Sequence, residues 1–161
     1  MAELIIPTTL IGLSLGFFLH TRTQKIANSN TPPPLKQPHW IRFPTLYSGL
    51  YGSLILHLLM AISNGGEAFT WLFITLPAAA IPIASVSLSA RLLISSFQGK
   101  PIQNTLQPTT VLLAASFLLY LLYQSSGNDD EAKTATFFLY NIALISMSWV
   151  IWSISFAIKQ K

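Results

Sequence analysis

Two side chains inside apolar stretches of this chain are suited to chemistry, His57 and Arg91. His57 lies about 16 Å into its apolar segment at a helical rise of 1.5 Å per residue, near or beyond the middle of a bilayer. Ionisable side chains at that depth are uncommon, and each is a candidate functional residue. The imidazole of His57 could ligate a haem iron or a chlorophyll magnesium, relay a proton, or donate one hydrogen bond across a helix bundle.

The other two histidines limit the metal chemistry that is open to His57. His20 and His39 both fall near the inner edge of the predicted membrane, each about 15 Å or more from His57 along the membrane normal. No second histidine can therefore reach the same iron, and only a single axial ligand to a haem or a pigment stays open. A neutral, hydrogen-bonded packing histidine is the alternative to any cofactor role.

Arg91 falls near the inner end of a long apolar segment. Its side chain could snorkel to the inner headgroups. Alternatively, together with His20, Arg22 and Lys100, it could bind an anionic group such as a phospholipid headgroup or a cofactor carboxylate. Arg91 and His57 are therefore the candidate cofactor-binding residues, and the sequence identifies no particular cofactor.

The sequence contains few of the groups that the common enzyme classes require. The predicted spans hold no pair of carboxylates, the chain has no cysteine, and it has neither a Gly-rich phosphate loop nor a nucleophile elbow. Proton or cation transport is equally poorly served, since no Asp or Glu lies in the interior of an apolar segment. We therefore expect no catalytic residues and no metal site.

Composition indicates a membrane protein. Charged residues make up 9% of the chain and hydrophobic residues 52%, with a mean hydropathy of +0.54, whereas soluble domains have roughly 25% charged residues. The chain is predicted to be an integral, multi-pass protein in contact with the lipid bilayer. The net charge of +4 is assigned to the inner loops, and no basic stripe with interleaved aromatic residues indicates a nucleic-acid partner.

Five apolar segments are predicted as transmembrane helices of an all-α bundle that forms a single domain. The segments cover about residues 2–19, 46–63, 69–97, 108–124 and 134–158. A long, basic, proline-containing inner loop over 21–44 connects the first two. Glu3 precedes the first segment, and Arg22 and Lys25 follow it. This order is the reverse of a cleavable signal peptide, so the segment is predicted to be a retained helix.

The charged residues sort between the two sides of the predicted membrane. The acidic residues fall on one side: Glu3, Glu67, Asp129, Asp130 and Glu131. The basic residues other than Lys133 fall on the opposite side: Arg22, Lys25, Lys36, Arg42, Arg91, Lys100, Lys159 and Lys161. Because Lys and Arg in short loops are retained in the cytoplasm, the N-terminus is predicted outside and the C-terminus inside. Which cellular membrane carries the protein stays open.

Small residues recur on one face of several predicted helices. Lipid and leucine are equally apolar, so transmembrane helices associate through small residues and interhelical hydrogen bonds. The first helix contains a GxxxG pair, Gly12 and Gly16. The predicted helix-packing residues are Gly12, Gly16, Gly49, Ser53, Ala80, Ala84 and Asn141. The alternative is that some of these faces line a cavity.

One passage resembles a known family. The run Ser89-Ala-Arg-Leu-Leu-Ile-Ser-Ser-Phe-Gln-Gly99, followed by a short loop and another apolar segment, is similar to the Ala-Arg-Leu-x-x-x-x-x-x-Gly passage of the MAPEG group. These small membrane bundles include glutathione transferases and leukotriene C4 synthase. The resemblance covers the order of the first four helices, and it implies that Arg91 contacts glutathione. The chain departs from the family at Pro44 to Tyr51, which lacks the carboxylate of an Asn-x-x-Glu passage, and by adding a fifth helix.

Two functional hypotheses follow from the sequence. The first is a non-catalytic accessory or assembly subunit of a larger membrane complex, whose partners are other transmembrane subunits or further copies of itself. The second is a MAPEG-like membrane enzyme, or a degenerate relative, acting on a lipophilic substrate with glutathione. A small channel or carrier lined by His57 and Asn141 is a third.

Overall fold

The computed structural model describes residues 2–28, 43–63, 72–99, 102, 105–125 and 129–159 of the chain. Every element in these ranges is an α-helix. The helices are α1 (Ala2–Ala27), α2 (Pro44–Ser63), α3 (Leu72–Gln98), α4 (Leu106–Ser125) and α5 (Asp129–Lys159). The prediction of an all-α fold is therefore confirmed for the described part of the chain.

Four of these helices contain a segment that is long and apolar enough to cross a membrane, by length and composition. The segments are Pro44–Ser63, Ala78–Gln98, Leu106–Ser125 and Glu131–Ile158. The first helix, α1, whose side chains are described from Ile5 onward, is not among them. Four apolar helices of this length indicate a membrane protein.

The first helix is longer than the sequence predicted. It continues through Ala27, so the prediction that the loop begins at residue 21 is wrong for its first turns. In these turns two threonine hydroxyls donate to carbonyls one turn back, Thr21 to Phe17 at 3.0 Å and Thr23 to Leu19 at 2.8 Å. A lysine in the last turn suits the negative end of the helix dipole. The rest of the predicted loop, residues 29–42, lies outside the described residues.

The other helix starts also differ from their predicted positions. The fifth helix begins at Asp129 rather than at residue 134. Its first residues are acidic, and carboxylates stabilise the positive N-terminal end of a helix. The fourth begins at Leu106, so Pro108 lies inside the first turn, where proline is tolerated because its missing N–H would have no helical partner. The predicted start of the third helix at residue 69 lies outside the described part.

The third helix is the centre of the bundle. It packs against all four other helices, with α1 and α2 on one side and the α4–α5 pair on the other. In α3, 67% of the apolar segment is buried, against only 17% in α4 and in α5. On the α4–α5 side the core consists of Ala84, Leu88, Leu92, Leu112 and Ile145, with Trp149 and Trp152 packed against it.

Paired positions show how the helices run. A Cβ on Gly12 would lie 2.8 Å from Val86, and His20 bonds to Gln98, so residue numbers rise together and α1 is parallel to α3. Ser53 bonds to the carbonyl of Leu76, while Thr45 receives a bond from Arg91, so α2 is antiparallel to α3. One end of the bundle therefore contains the end of α1, the start of α2 and the end of α3.

This end of the bundle is called the basic end, defined by Arg22, Lys25 and Arg91. Arg22 and Lys25 are exposed on the last turns of α1, and Arg91 lies in the last third of α3. The acidic start of α5 belongs to the opposite end, since Trp152 near the end of α5 bonds to Ser95 near the end of α3. Tyr123 near the end of α4 stacks on Phe138 with 5.8 Å between ring centroids, so α4 and α5 form an antiparallel hairpin.

Candidate functional site

The predicted packing residues of α1 and α2 lie against the central helix. A Cβ on Gly16 would lie 2.8 Å from the backbone oxygen of Ser87, and a Cβ on Gly49 would lie 2.9 Å from the backbone oxygen of Ala80. Such distances require a residue without a side chain. Gly12, Gly16, Gly49, Ser53 and Ala84 are buried, and Ala80 is half-buried. The small-residue faces of α1 and α2 are thus occupied within this chain.

Asn141, predicted as a helix-packing residue, is buried in α5, at 4% exposure. Its Nδ2 donates to the carbonyl of Phe137 at 2.9 Å, one turn back, so this bond lies within α5. An amide that bonds to its own helix has less capacity left for a ligand or a neighbouring helix.

His57 is held by its own helix. It is 4% exposed, and its Nδ1 lies 2.7 Å from the backbone oxygen of Ser53. A carbonyl only accepts, so Nδ1 is the donor in this bond. The hydroxyl of Ser53 in turn donates to the carbonyl of Leu76 at 3.0 Å, which ties α2 to α3. Among the described residues, no three His, Cys, Asp or Glu side chains come together to hold a metal ion.

The predicted basic group around Arg91 is not assembled by direct contacts. His20 is 1% exposed and its Nε2–H donates to Oε1 of Gln98 at 3.0 Å. Arg22 lies over the ring of Phe18, 5.4 Å from its centroid. Lys100 lies outside the described residues. Gln98 had no assigned role in the sequence, and no sequence signal pairs it with His20.

Arg91 is buried inside the bundle. Only 4% of it is exposed, so its side chain does not snorkel to the surface. Its Nη1 donates to Oγ1 of Thr45 at 3.3 Å, and its Nε is buried with no hydrogen-bond partner in the described part of the chain. Thr45 is the second residue of α2. The guanidinium therefore lies at the N-terminus of a helix, next to another centre of positive potential.

The central helix also carries several buried serines that were not predicted as site residues. They are Ser85, Ser87, Ser89, Ser95 and Ser96. Ser85 and Ser96 donate to carbonyls one turn back, at 2.7 Å and 2.9 Å. Ser95 accepts a bond from Nε1 of Trp152 at 3.1 Å, which joins α3 to α5. The spacing of these serines does not follow one helical face, so the signal in the sequence was only the number of serines within an apolar helix.

Fold and site together define a helical bundle with a polar central helix and a buried arginine, in which four helices are long and apolar enough to cross a membrane. No protein-family model matches the chain, and neither a curated protein nor a solved structure matches it.

Proposed function

We propose that the chain is a non-catalytic integral membrane protein that serves as a small accessory or assembly subunit of a larger membrane complex. The observation that carries this proposal is the use of its polar groups. Most buried hydroxyl, amide and imidazole groups described above bond to their own helix or join two helices, as His57, Asn141 and Ser95 do. Polar groups that are bonded in this way stabilise the bundle and have little hydrogen-bonding capacity left for a substrate.

The outer faces of α4 and α5 are the proposed contact surface for unlike transmembrane helices. The small-residue faces of α1 and α2 are already filled by α3, so partners would use the α4–α5 side. Only 17% of each apolar segment there is buried. Its large exposed residues include Phe117, Leu118, Leu122, Met147 and Ile154. Helices that meet little of their own chain have most of their surface free for lipid or a partner.

We further propose that all five helices cross the membrane, with the N-terminus outside and the C-terminus inside. The support for a crossing by α1 is its path along α3. It contacts α3 from Gly12, beside Val86, to His20, beside Gln98. That stretch of α3 covers about 18 Å at the helical rise, more than half of a bilayer core. A helix parallel to a spanning helix over this distance shares its path.

Labelling of single cysteines tests this topology. The chain has no cysteine, so Glu3→Cys, Asn28→Cys and Ser125→Cys each create one thiol. With a membrane-impermeant maleimide on sealed vesicles, Asn28→Cys is expected to react from the opposite side to Glu3→Cys and Ser125→Cys. Permeabilised vesicles give the total reactive thiol as the control. If Glu3→Cys and Asn28→Cys react from the same side, α1 does not cross and the five-span topology is wrong.

Gentle purification from the native membrane tests the accessory role. We expect unlike chains to co-purify with this protein in mild detergent, because a subunit without catalytic groups works through its partners. Mass spectrometry identifies the chains, and an absorption spectrum of the same sample shows whether a pigment or haem accompanies them. A colourless homo-oligomer with no unlike chain would contradict the accessory role.

One observation favours the alternative, a MAPEG-like membrane enzyme or a degenerate relative. Arg91, the residue that the resemblance assigns to glutathione, lies buried with an unpaired Nε. An arginine in that state has capacity left for an anionic group. Since MAPEG proteins are homotrimers, that relationship predicts a trimer of this chain alone in the same purification. A mixed complex would favour the accessory subunit.

A further inference from the structure

We propose that Arg91 and the first turn of α2 form a binding site for a phosphate group, supplied by an anionic lipid at the basic end of the bundle. This inference does not depend on the accessory role. It starts from the burial of a charge that no described residue of the chain neutralises, and it assigns that charge a ligand.

The hydrogen bonding of Arg91 is incomplete. The guanidinium has five N–H donors and a permanent positive charge. Only Nη1 has a partner in the described part of the chain, a neutral hydroxyl 3.3 Å away on Thr45, and Nε is buried without one. Charge-assisted bonds are shorter, about 2.7–2.9 Å. A buried charge with one long bond to a neutral group is strongly unfavourable unless an anion accompanies it.

The N-terminus of α2 adds a second reason for an anion at this place. Thr45 lies in the first turn of a helix of 20 residues. The first N–H groups of a helix have no partner within it, and its dipole is positive there. In α2, Pro44 has no N–H and the N–H of Tyr47 donates to Phe43 at 3.1 Å, so these groups are the N–H groups of Thr45 and Leu46. Arg91 therefore adds its charge to a potential of the same sign. Helix N-termini bind phosphate through these N–H groups, and an arginine beside them completes the usual recognition of phosphate oxygens.

The acidic residues that begin α1 and α5 lie far from Arg91. Glu3 is in the first turn of α1, and Glu131 is in the first turn of α5, both at the opposite end of the bundle. Glu67 precedes Leu72, and Leu72 is itself about 28 Å from Arg91 along α3 at the helical rise. In the described part of the chain no carboxylate pairs with Arg91, so the proposal assigns its counter-charge to a ligand.

The position of Arg91 selects a lipid phosphate as that counter-charge. Arg91 is about 10 Å from the end of α3 at Gln98, which places it close to the headgroup level. Arg22 and Lys25 are exposed at the same end, and such residues attract anionic headgroups. The partner of Arg91, Thr45, is the second residue of α2, so the proposed approach of the phosphate is past the start of that helix.

Lipid-dependent thermal unfolding tests the site. The full chain in maltoside micelles is titrated with phosphatidylglycerol, and separately with a galactosyl diacylglycerol of the same acyl chains, which has no phosphate. The wild type is expected to gain stability from phosphatidylglycerol and not from the galactosyl diacylglycerol. Arg91→Met is expected to lose about tenfold or more in apparent lipid affinity, because it removes a charge-assisted contact. Lys133→Met, which removes an exposed charge near the opposite end of the bundle, is expected to keep most of the affinity.

Additional measurements distinguish a lipid phosphate from free phosphate and control for misfolding of the variant. Without lipid, Arg91→Met is expected to unfold at the same temperature as the wild type or higher, because it removes an unpaired buried charge. Inorganic phosphate reproducing the stabilisation would assign the site to a free anion. Equal stabilisation of Arg91→Met and the wild type would overturn the proposal, as would no response to either phosphate source.

Native mass spectrometry of wild type and Arg91→Lys counts the retained lipid independently of stability. Loss of lipid binding with unlike chains still bound separates this site from the accessory role.

Discussion

The substitution Gly16→Leu is expected to separate α1 from α3 and to lower the free energy of unfolding by about 3 kcal/mol, at the upper end of the usual cost of overpacking. A Cβ at Gly16 would already lie 2.8 Å from the backbone oxygen of Ser87 and 3.1 Å from its Cα. Backbone atoms of a packed helix cannot move aside as a side chain tip can. The helices would have to part, and the contacts from Gly12 to His20 would weaken together.

Thermal and denaturant unfolding of the purified protein in one detergent measures this effect. Ser14→Leu is the matched control, because Ser14 lies on the exposed face of the same helix. It is expected to change stability by less than about 0.5 kcal/mol. Gly16→Ala is expected to fall between the two, since it adds only the clashing Cβ. Equal stability of Gly16→Leu and Ser14→Leu would mean that α1 does not pack on α3 through this face.

The helices were predictable because each has a long apolar run. Their ends were less so, since helix ends depend on local bonds that hydropathy does not report. Near the end of α1 the hydroxyls of Thr21 and Thr23 bond to carbonyls of their own helix, and acidic residues at the start of α5 suit the positive end of the helix dipole. In both places a polar stretch that suits a loop by composition lies within a helix.

Some candidate site residues could likewise be recognised from the sequence, and others could not. Gly12 and Gly16 were recognisable from spacing, because close helix approach needs small residues at a fixed period. The partners of His20 and Arg91 were not, since Gln98 and Thr45 are distant in sequence and their types have many other uses. Whether a long cationic side chain reaches the surface or stays buried depends on the neighbouring helices. Arg91 could therefore be singled out by type and depth, while its burial required the fold.

The substitution Phe138→Ala is expected to lower the free energy of unfolding by about 3 kcal/mol, in the lower part of the range for truncation of a buried phenylalanine. Phe138 is 1% exposed and stacks on Tyr123 across the α4–α5 hairpin, with 5.8 Å between ring centroids. The substitution leaves a cavity between two helices that meet α3 through only part of their surface. Because packing contacts rather than transfer from water stabilise this pair in a membrane, their loss is not recovered elsewhere.

Unfolding of Phe138→Ala in detergent measures this loss, and Phe117→Ala is its control. Phe117 belongs to α4 and is 53% exposed, so the same truncation there removes mainly contacts with detergent and the edge of its stacking on Tyr120. A cost below about 1 kcal/mol is expected. If both variants lost stability equally, the outer face of α4 would be buried in the purified particle. If α4 and α5 carry the proposed contact surface, Phe138→Ala also reduces the recovery of unlike chains, because a loosened hairpin no longer holds both faces in one arrangement.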